Sequence, residues 1–323
     1  MKIGILGSGF IAGKMAETIN LMNRDDVELY AIGASSLEKA EAFAEKYNIK
    51  KFYGDYESLA KDNDIDLIYI ATIHTMHYEH AILCIKNGKN ILVEKPFTVN
   101  YSQAKEVFDI AKEYNVFVSE AMWTRFMPSA DFFAGLEQSG IIGSLESLTA
   151  NIGYNIRDVK RINSPECAGG ALLDIGIYPI HLAMMLFGND IEDIFGKCTY
   201  LESGVDAVDS IIMNWKSGKS ATLQATILSD SSNPGYIYGS DGYVFIDNIN
   251  NPQKADIFKN GECIETVDFS NQITGFEYEV EKCINDISKG KKESESVNHK
   301  LTLTVMKYMD TLRKSWNVIY PFE

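Results

Sequence analysis

Residues 2–12 read Lys2-Ile3-Gly4-Ile5-Leu6-Gly7-Ser8-Gly9-Phe10-Ile11-Ala12, a short apolar strand followed by a glycine turn and the start of a helix. Gly7, Gly9 and Ala12 have the G-x-G-x-x-G/A spacing, in which a tight turn brings the backbone close to a pyrophosphate. Unpaired N–H groups at the next helix N-terminus bind phosphate oxygens. This context predicts a dinucleotide-binding loop. The alternative is a glycine turn with no ligand.

The pattern on either side of this loop divides the chain into two parts. Short apolar runs alternate with amphipathic stretches through residue 120, which predicts βαβ crossovers and a parallel, doubly wound sheet. Beyond Met122 strands follow one another without helices between them, which predicts an open, mostly antiparallel sheet. We therefore predict an α/β chain with a Rossmann domain at 1–120 and an α+β domain at 121–323 for substrate binding and oligomerisation.

Individual elements follow from the same periodicity. In the first domain we predict strands at 3–6, 27–32, 67–71, 90–93 and 116–119. In the second we predict strands at 144–154, 210–215 and 221–228, helices at 128–139, 172–187 and 300–316, and a hairpin turn region at 235–243.

Composition restricts the partners of the chain. Its 323 residues are 46% hydrophobic and carry a formal net charge of −15, which would repel a phosphate backbone and argues against nucleic acid. Five scattered cysteines predict reduced thiols. We find no cleavable apolar leader and no run of about 18 apolar residues, so we expect no membrane partner and a cytoplasmic location.

The end of the second predicted strand bears on the choice of coenzyme. NAD-specific loops usually place a carboxylate there, but this strand ends in Gly33-Ala34-Ser35-Ser36. Ser35, Ser36 and Lys39 could instead donate to a 2′-phosphate, which favours NADP(H) slightly over NAD(H). Alternatively, Ser36 only caps the helix that begins at Glu38 and Lys39.

Two further motifs place reactive side chains. Glu94-Lys95-Pro96 follows a buried strand at the carboxyl edge of the sheet, where doubly wound folds bind ligands, although a Lys-Pro pair is often just a solvated turn. Asp174, Tyr178 and His181 have i, i+4 and i+7 spacing and would share one face of an apolar helix that contains Pro179. They either converge on a site or satisfy one another inside the core.

Three segments in this order resemble the Gfo/Idh/MocA oxidoreductases, over essentially the whole chain. They are the glycine loop at 7–12, Glu94-Lys95-Pro96, and Gly169-Gly170-Ala171-Leu172-Leu173-Asp174-Ile175-Gly176-Ile177-Tyr178. Residues 120–128 resemble the dihydrodiol dehydrogenase and NADP-linked xylose dehydrogenase branch.

The resemblance implies a function and three catalytic residues. It implies hydride transfer between a nicotinamide and the carbinol or carbonyl carbon of a sugar, polyol or trans-dihydrodiol, with Lys95 catalytic and Asp174 assisting. Many members carry His four residues after that Asp; Tyr178 stands there here and would transfer the proton. The alternative is a non-catalytic NAD(P)-binding regulator or sensor of the same fold. The resemblance also implies a homodimer or homotetramer. The C-terminal sheet is the expected contact surface, because an open sheet normally has one face to cover.

The remaining candidates contact the coenzyme or the substrate. His74, His77 and His80 recur every third residue but lack a full ligand set, so we predict no metal. Arg125 and Arg161 could orient a polyol or an anionic substrate, although a solvated arginine is the more frequent explanation. The predicted cofactor contacts are Gly7, Gly9, Phe10, Ile11, Ala12, Ser35, Ser36, Thr72, His74, Glu94, Lys95 and Trp123. The predicted substrate contacts are Lys95, Trp123, Tyr154, Arg161, Asp174, Tyr178 and His181.

Overall fold

The computed structural model describes residues 1–323 as two compact units. The first comprises Met1–Phe126 and Ile273–Leu303, and the second Met127–Gln272 and Thr304–Glu323. A segment near the C-terminus thus folds with the N-terminal unit, which the sequence-based division at residue 120 did not include.

The first unit contains a six-stranded, fully parallel sheet in the order β3-β2-β1-β4-β5-β6. With elements numbered along the chain, its strands are β1 (Lys2–Leu6), β2 (Glu28–Gly33), β3 (Lys51–Tyr53), β4 (Leu67–Ile70), β5 (Asn90–Glu94) and β6 (Val118–Ala121). Its helices are α1 (Phe10–Met22), α2 (Leu37–Tyr47), α3 (Tyr56–Ala60), α4 (His77–Lys86), α5 (Tyr101–Tyr114) and α8 (Glu277–Ser288). This strand order is that of dinucleotide-binding folds, and the order reverses between β1 and β4, where such folds bind ligands.

The parallel sheet forms because its strands are apolar on both faces. Ile5, Ile32 and Ile68 are all fully buried, as expected for strands covered by helices on either side. Helix α8 joins this unit through Val280 and Cys283, which belong to the same hydrophobic cluster as the β1 residues. All five predicted strands are confirmed to within two residues. The short edge strand β3 was missed because three partly exposed residues carry no periodic signal.

The second unit contains an eight-stranded sheet in the order β14-β13-β12-β11-β7-β10-β9-β8, antiparallel except for the pair β7 and β10. Its strands are β7 (Leu145–Gly153), β8 (Ile191–Tyr200), β9 (Asp206–Trp215), β10 (Ser220–Thr226), β11 (Gly235–Gly239), β12 (Gly242–Ile246), β13 (Lys254–Lys259) and β14 (Glu262–Asp268). Its helices are α6 (Pro128–Ser139) and α7 (Ile177–Phe187), and the closing helix α9 (His299–Ser315) is divided between the two units. The predicted open, mostly antiparallel sheet is confirmed.

Three details of the second unit differ from the sequence-based expectations. The predicted helix at 172–187 begins as a π-helix, Leu172–Gly176, before α7 continues it. Most of the region 235–243, expected to be a turn, is strand, and only the connection between Gly239 and Gly242 turns. The segment Pro165–Phe187 is also apolar enough by composition to cross a membrane, contrary to the expectation of no such run, but 89% of its most apolar window is buried in the protein. Helix α7 is apolar all round because it is a core helix.

Candidate active site

The glycine loop between β1 and α1 has the geometry expected of a phosphate-binding turn. Gly7 adopts φ +110°, and its N–H donates to Gly33 O at 2.9 Å, which ties the end of β1 to β2. A Cβ added at Gly9 would meet no atom within 4 Å. Gly9 is also the N-cap of α1 and offers no side-chain cap, so the first N–H groups of the helix are available to an anion. These features fit a dinucleotide pyrophosphate.

A cleft of about 800 Å³ opens beside this loop, between α1 and α2. Its walls include Ser8, Gly9, Phe10, Lys14 and Lys39, but not Lys95. The Phe10 ring is 82% exposed, although large apolar side chains are usually covered. The cleft therefore suits the phosphate and adenosine end of a dinucleotide rather than its reactive ring.

The predicted 2′-phosphate contacts lie together at the end of β2. Lys39 Nζ donates to Ser35 Oγ at 3.2 Å, and Ser35 is exposed. Ser36 Oγ accepts from Lys39 N at 3.3 Å, so this residue caps α2, as the alternative interpretation proposed. Ser35 and Lys39 stay accessible, and the cap does not prevent a role for Ser36 in binding phosphate.

The Lys95 turn follows β5 and is anchored by the preceding carboxylate. Glu94 is almost fully buried, accepts from Tyr69 Oη, and accepts from Lys95 N at 3.1 Å. The Lys95–Pro96 peptide bond is cis. Nearby Glu279 of α8 is fully buried, and burial together with the Glu94 charge raises its pKa well above the usual range. The Glu94 carboxylate therefore anchors the backbone N–H of Lys95 at the start of the turn.

His77 connects this turn to the loop after β4. Its Nδ1 lies 2.9 Å from Pro96 O and its Nε2 3.1 Å from Thr72 O. Carbonyl oxygens only accept, so both hydrogen bonds form together when both ring nitrogens carry a proton. The fully buried His77 thus ties the predicted cofactor contact Thr72 to the predicted catalytic turn, a role that its spacing did not reveal.

Glu120, on β6, holds the other side of the same turn. Its carboxylate accepts from Phe97 N at 3.0 Å and from Thr302 Oγ1 at 2.8 Å. Burial raises the pKa of Glu120 to about 7, and burial lowers the pKa of Arg125 to about 10 against the opposing charge of Glu120. Arg125 is therefore a partly buried partner of Glu120, which corrects the expectation of a solvated arginine.

The other histidines and the aromatic candidate of the first unit have mostly internal contacts. His80 Nδ1 lies 3.0 Å from Thr72 Oγ1, and burial lowers its pKa to about 4. His74 begins a short 3₁₀ turn with its ring 6.0 Å from that of His77. Trp123 stacks on Phe276 with ring centroids 4.5 Å apart.

Asp174 of the second unit is paired with a cation. It lies in the π-helix, is nearly fully buried, and its Oδ1 accepts from Arg161 Nη1 at 2.8 Å. Arg161 is about half exposed, so the pair has one buried and one accessible member. The structure thus brings together two predicted substrate contacts, and the arginine orients the carboxylate.

The remaining predicted residues of the second unit differ in accessibility. Tyr178 is in the first turn of α7 and is 8% exposed, whereas His181 is fully buried in the same helix. Tyr154 follows β7, and its hydroxyl accepts from Asn233 Nδ2 at 2.9 Å and from Asn250 Nδ2 at 3.0 Å. Pro179 is the third residue of α7, directly after the π-helix that α7 continues, so it lies where the regular α-helical hydrogen-bond pattern is already interrupted.

Sequence reasoning missed several buried polar residues that organise these segments. Their partners are remote in sequence, so no local spacing reveals them. They are Glu120, Glu279, Asp206 and Asp209, together with His77 in the role described above.

Fold and site geometry together define a dinucleotide-dependent oxidoreductase, and comparison with known proteins agrees. Residues 1–122 match "Oxidoreductase family, NAD-binding Rossmann fold", and residues 135–245 match "GFO/IDH/MocA C-terminal domain". The trans-1,2-dihydrobenzene-1,2-diol dehydrogenase of Xenopus tropicalis is 36% identical over 99% of both chains. The scyllo-inositol 2-dehydrogenase (NADP(+)) of Bacillus subtilis is 31% identical over 99% of this chain and 98% of its own.

Solved structures share the fold at lower identity. A 3-ketoreductase from Actinomadura kijaniata, in complex with NADP and TDP-benzene, has a TM-score of 0.88 and 21% identity over 97% of each chain. An aldose-aldose oxidoreductase from Caulobacter crescentus has a TM-score of 0.88 and 19% identity over 98% of this chain and 97% of its own.

This chain belongs to the Gfo/Idh/MocA family and is an NAD(P)-dependent dehydrogenase or reductase acting on CH–OH groups. The named relatives are dehydrogenases and reductases, and they do not support the non-catalytic alternative.

Proposed function

We propose that the protein is an NADP(H)-preferring dehydrogenase that oxidises a secondary alcohol of a sugar, a polyol such as an inositol, or a trans-dihydrodiol, or reduces the matching ketone. The observation that carries this proposal is the full-length similarity to dehydrogenases of a trans-dihydrodiol and of scyllo-inositol. The nicotinamide, when bound, supplies the hydride acceptor or donor. Side chains of the protein must bind and orient the substrate and transfer the proton of its hydroxyl group.

Tyr178, Lys95 and Asp174 are the proposed catalytic residues. In oxidation, Tyr178 Oη takes the proton of the substrate hydroxyl, and in reduction it returns one. Lys95 Nζ stabilises the phenolate form of Tyr178, which is the base in oxidation and the product of proton donation in reduction, and holds the substrate oxygen. The Asp174 carboxylate accepts from Arg161 Nη1 at 2.8 Å and orients Tyr178 and Lys95. Arg161 is half exposed and is the proposed contact for further substrate hydroxyls, with Trp123, Tyr154 and His181 as the other proposed substrate contacts.

The preference for NADP(H) rests on the end of β2. No carboxylate occupies 33–36, and the accessible pair of Ser35 and Lys39 offers a hydroxyl and an ammonium to a 2′-phosphate. The Bacillus subtilis relative is an NADP(+)-dependent scyllo-inositol dehydrogenase, which supports this preference.

Assembly and location complete the proposal. The exposed face of the second unit's sheet carries aromatic side chains, including Tyr236 and Tyr238, whose rings stack 6.2 Å apart. We propose that a second copy covers this face, because contiguous exposed apolar patches mark interaction surfaces. Light scattering that shows a strict monomer would contradict this. The proposed location is the cytoplasm, with neither nucleic acid nor membrane as a partner.

A coenzyme titration followed by a substrate panel tests the function. Binding of NAD, NADH, NADP and NADPH is measured by fluorescence. Aldoses, inositols and trans-dihydrodiols are then assayed with the preferred coenzyme through the absorbance of the reduced nicotinamide. We expect tighter binding of the phosphorylated coenzymes and turnover of at least one diol or polyol; no turnover with any of these classes would refute the substrate proposal.

The Lys95 assignment has its own test. Lys95→Ala should lower kcat on the order of 10²- to 10⁴-fold, the usual worth of a group that assists proton transfer. The Kd for the coenzyme should change by no more than about threefold, since binding spreads over the glycine loop and the β2 end. Lys105→Ala, at an exposed ion pair with Asp109, is the matched control. Equal kcat in the two variants would defeat the assignment.

A further inference from the structure

Two fully buried carboxyl groups, Asp206 and Asp209, lie on β9 beneath the start of the π-helix that carries Asp174. Neither belongs to the sequence motifs, and the proposed proton transfer does not use them. Buried carboxyl groups are costly unless they are paired or hydrogen-bonded. A pair of them under a catalytic segment therefore calls for a role.

Asp206 contacts the backbone of this segment directly. Its Oδ2 accepts from Leu172 N at 2.6 Å, at the first residue of the π-helix. Leu172 O in turn accepts from Ile177 N, the hydrogen bond that closes the π turn around Asp174. An anion at the N-terminus of a helical segment is also favoured by the helix dipole.

The turn that leads into the π-helix is built around this carboxylate. A Cβ added at Gly170, which has φ +110°, would lie 2.1 Å from Asp206 Oδ1. One at Gly169 would lie 2.2 Å from Ile162 O. Tyr320 Oη donates to Gly169 O at 3.0 Å, which holds the turn from its other side. Gly170 therefore leaves room for the Asp206 carboxylate, and Gly169 leaves room for the backbone carbonyl of Ile162.

Asp209 completes the arrangement by keeping a proton. Both Asp209 oxygens and the neighbouring Asp206 Oδ1 are buried, and no N–H or O–H group of the chain donates to them. Burial and the adjacent Asp206 charge raise the pKa of Asp209 well above its usual range. Two adjacent buried carboxylates cannot both ionise easily, so Asp209 keeps its proton and Asp206 remains the acceptor for Leu172. Arg313, also buried, further favours the Asp206 anion.

We propose that Asp206 and Asp209 are positioning residues of this dehydrogenase: this buried carboxyl pair fixes the backbone at Leu172 and thereby places Asp174 and Tyr178 for reaction. The inference rests on the proposed function for its catalytic readout. Its structural half, the anchoring of 169–178, stands separately. Asp206 joins β9 to the first residue of the π-helix, and Asp209 lies beside it on the same strand.

Two variants of Asp209 test the proposal. Asp209→Leu removes the protonated carboxyl group at similar side-chain size, and we expect kcat to fall by about tenfold or more, because displacements near 1 Å cost rates of this order. The KM and Kd for the coenzyme should change by less than about twofold, and amide hydrogen exchange in 169–178 should quicken by about tenfold. Asp209→Asn supplies an amide N–H in place of the acid O–H and should restore kcat to within about threefold of the wild type.

A third variant separates positioning from loss of stability. Met213→Ala empties a buried position on the same strand, away from the turn, and should lower Tm while leaving kcat within about twofold. The proposal is overturned if Asp209→Leu matches Met213→Ala in kcat and exchange, or if Asp209→Asn loses as much as Asp209→Leu. If the wild type turns over no substrate, the proposed function fails, and the exchange comparison alone decides the anchor.

Discussion

The two glycine motifs, one in each unit, are alike in sequence and opposite in surroundings. At Gly9 in the first unit, an added Cβ would meet nothing within 4 Å. At Gly170 in the second, an added Cβ would meet the Asp206 carboxylate at 2.1 Å. Gly9 thus leaves space for a ligand, whereas Gly170 leaves space for another side chain of the protein, that of Asp206. A glycine-rich motif near a site is therefore not evidence of a ligand until its surroundings are known.

The largest expected effect tests the packed side of this contrast. Gly170→Ala should lower the free energy of unfolding by about 4 kcal/mol, because a positive φ costs about 1 kcal/mol and the overlap with Asp206 adds about 3. Urea denaturation measures this change. Gly140→Ala is the matched control, since Gly140 has φ +62° in the left-handed region but nothing within 4 Å, and should cost only about 1 kcal/mol. Equal losses in the two variants would show that packing against Asp206 is not the reason for Gly170.

The second prediction concerns Glu120, the buried acid that holds the turn after Lys95 in the first unit. The pKa of Glu120, raised from 4.5 to about 7, means that the folded state binds its proton more tightly than the unfolded chain. The resulting stabilisation is complete below about pH 4.5 and is lost as the pH rises through about 7, by up to roughly 3 kcal/mol. Glu120→Gln cannot titrate there.

The measurement for Glu120 is a difference between two proteins. The unfolding free energy of the wild type minus that of Glu120→Gln should fall between about pH 5 and about pH 8 by this amount. Subtraction cancels the other buried acids, Glu279 and Asp209, whose raised pKa values act in the same direction. A difference that stays constant with pH would mean that Glu120 keeps an ordinary pKa.

The smallest expected effect is at Gly9, where the space beside the glycine is open. Gly9→Ala should lower the unfolding free energy by no more than about 1 kcal/mol. Gly9 has φ −79° and open space around it, so the only cost is that of alanine at an N-cap. The added methyl would occupy the space proposed for the pyrophosphate, so the Kd for NADP(H) should rise about tenfold, or about 1.4 kcal/mol. Isothermal titration calorimetry provides the Kd. An unchanged value would mean that phosphate binds elsewhere.

Much of this protein was predictable because the signals are local. The alternation of apolar runs and helices predicted the parallel sheet, and the spacing at 7–12 predicted a dinucleotide-binding loop after its first strand. The turn at Lys95 and the helix bearing Asp174 were likewise found from short motifs. The π turn at 172–176 could not be predicted from local sequence, because its first residue is held by Asp206, more than thirty residues away in the chain.

The amino-acid sequence by itself determined the fold class, the coenzyme-binding loop and the family, because each depends on periodicity or on residues a few positions apart. Only the tertiary structure decided that His77 and Glu120 hold the Lys95 turn, that Arg161 pairs with Asp174, and that buried acids lie beneath the π-helix. The physical reason is that burial and hydrogen-bond partnership join residues far apart in the chain, and these set the charge and orientation of each group.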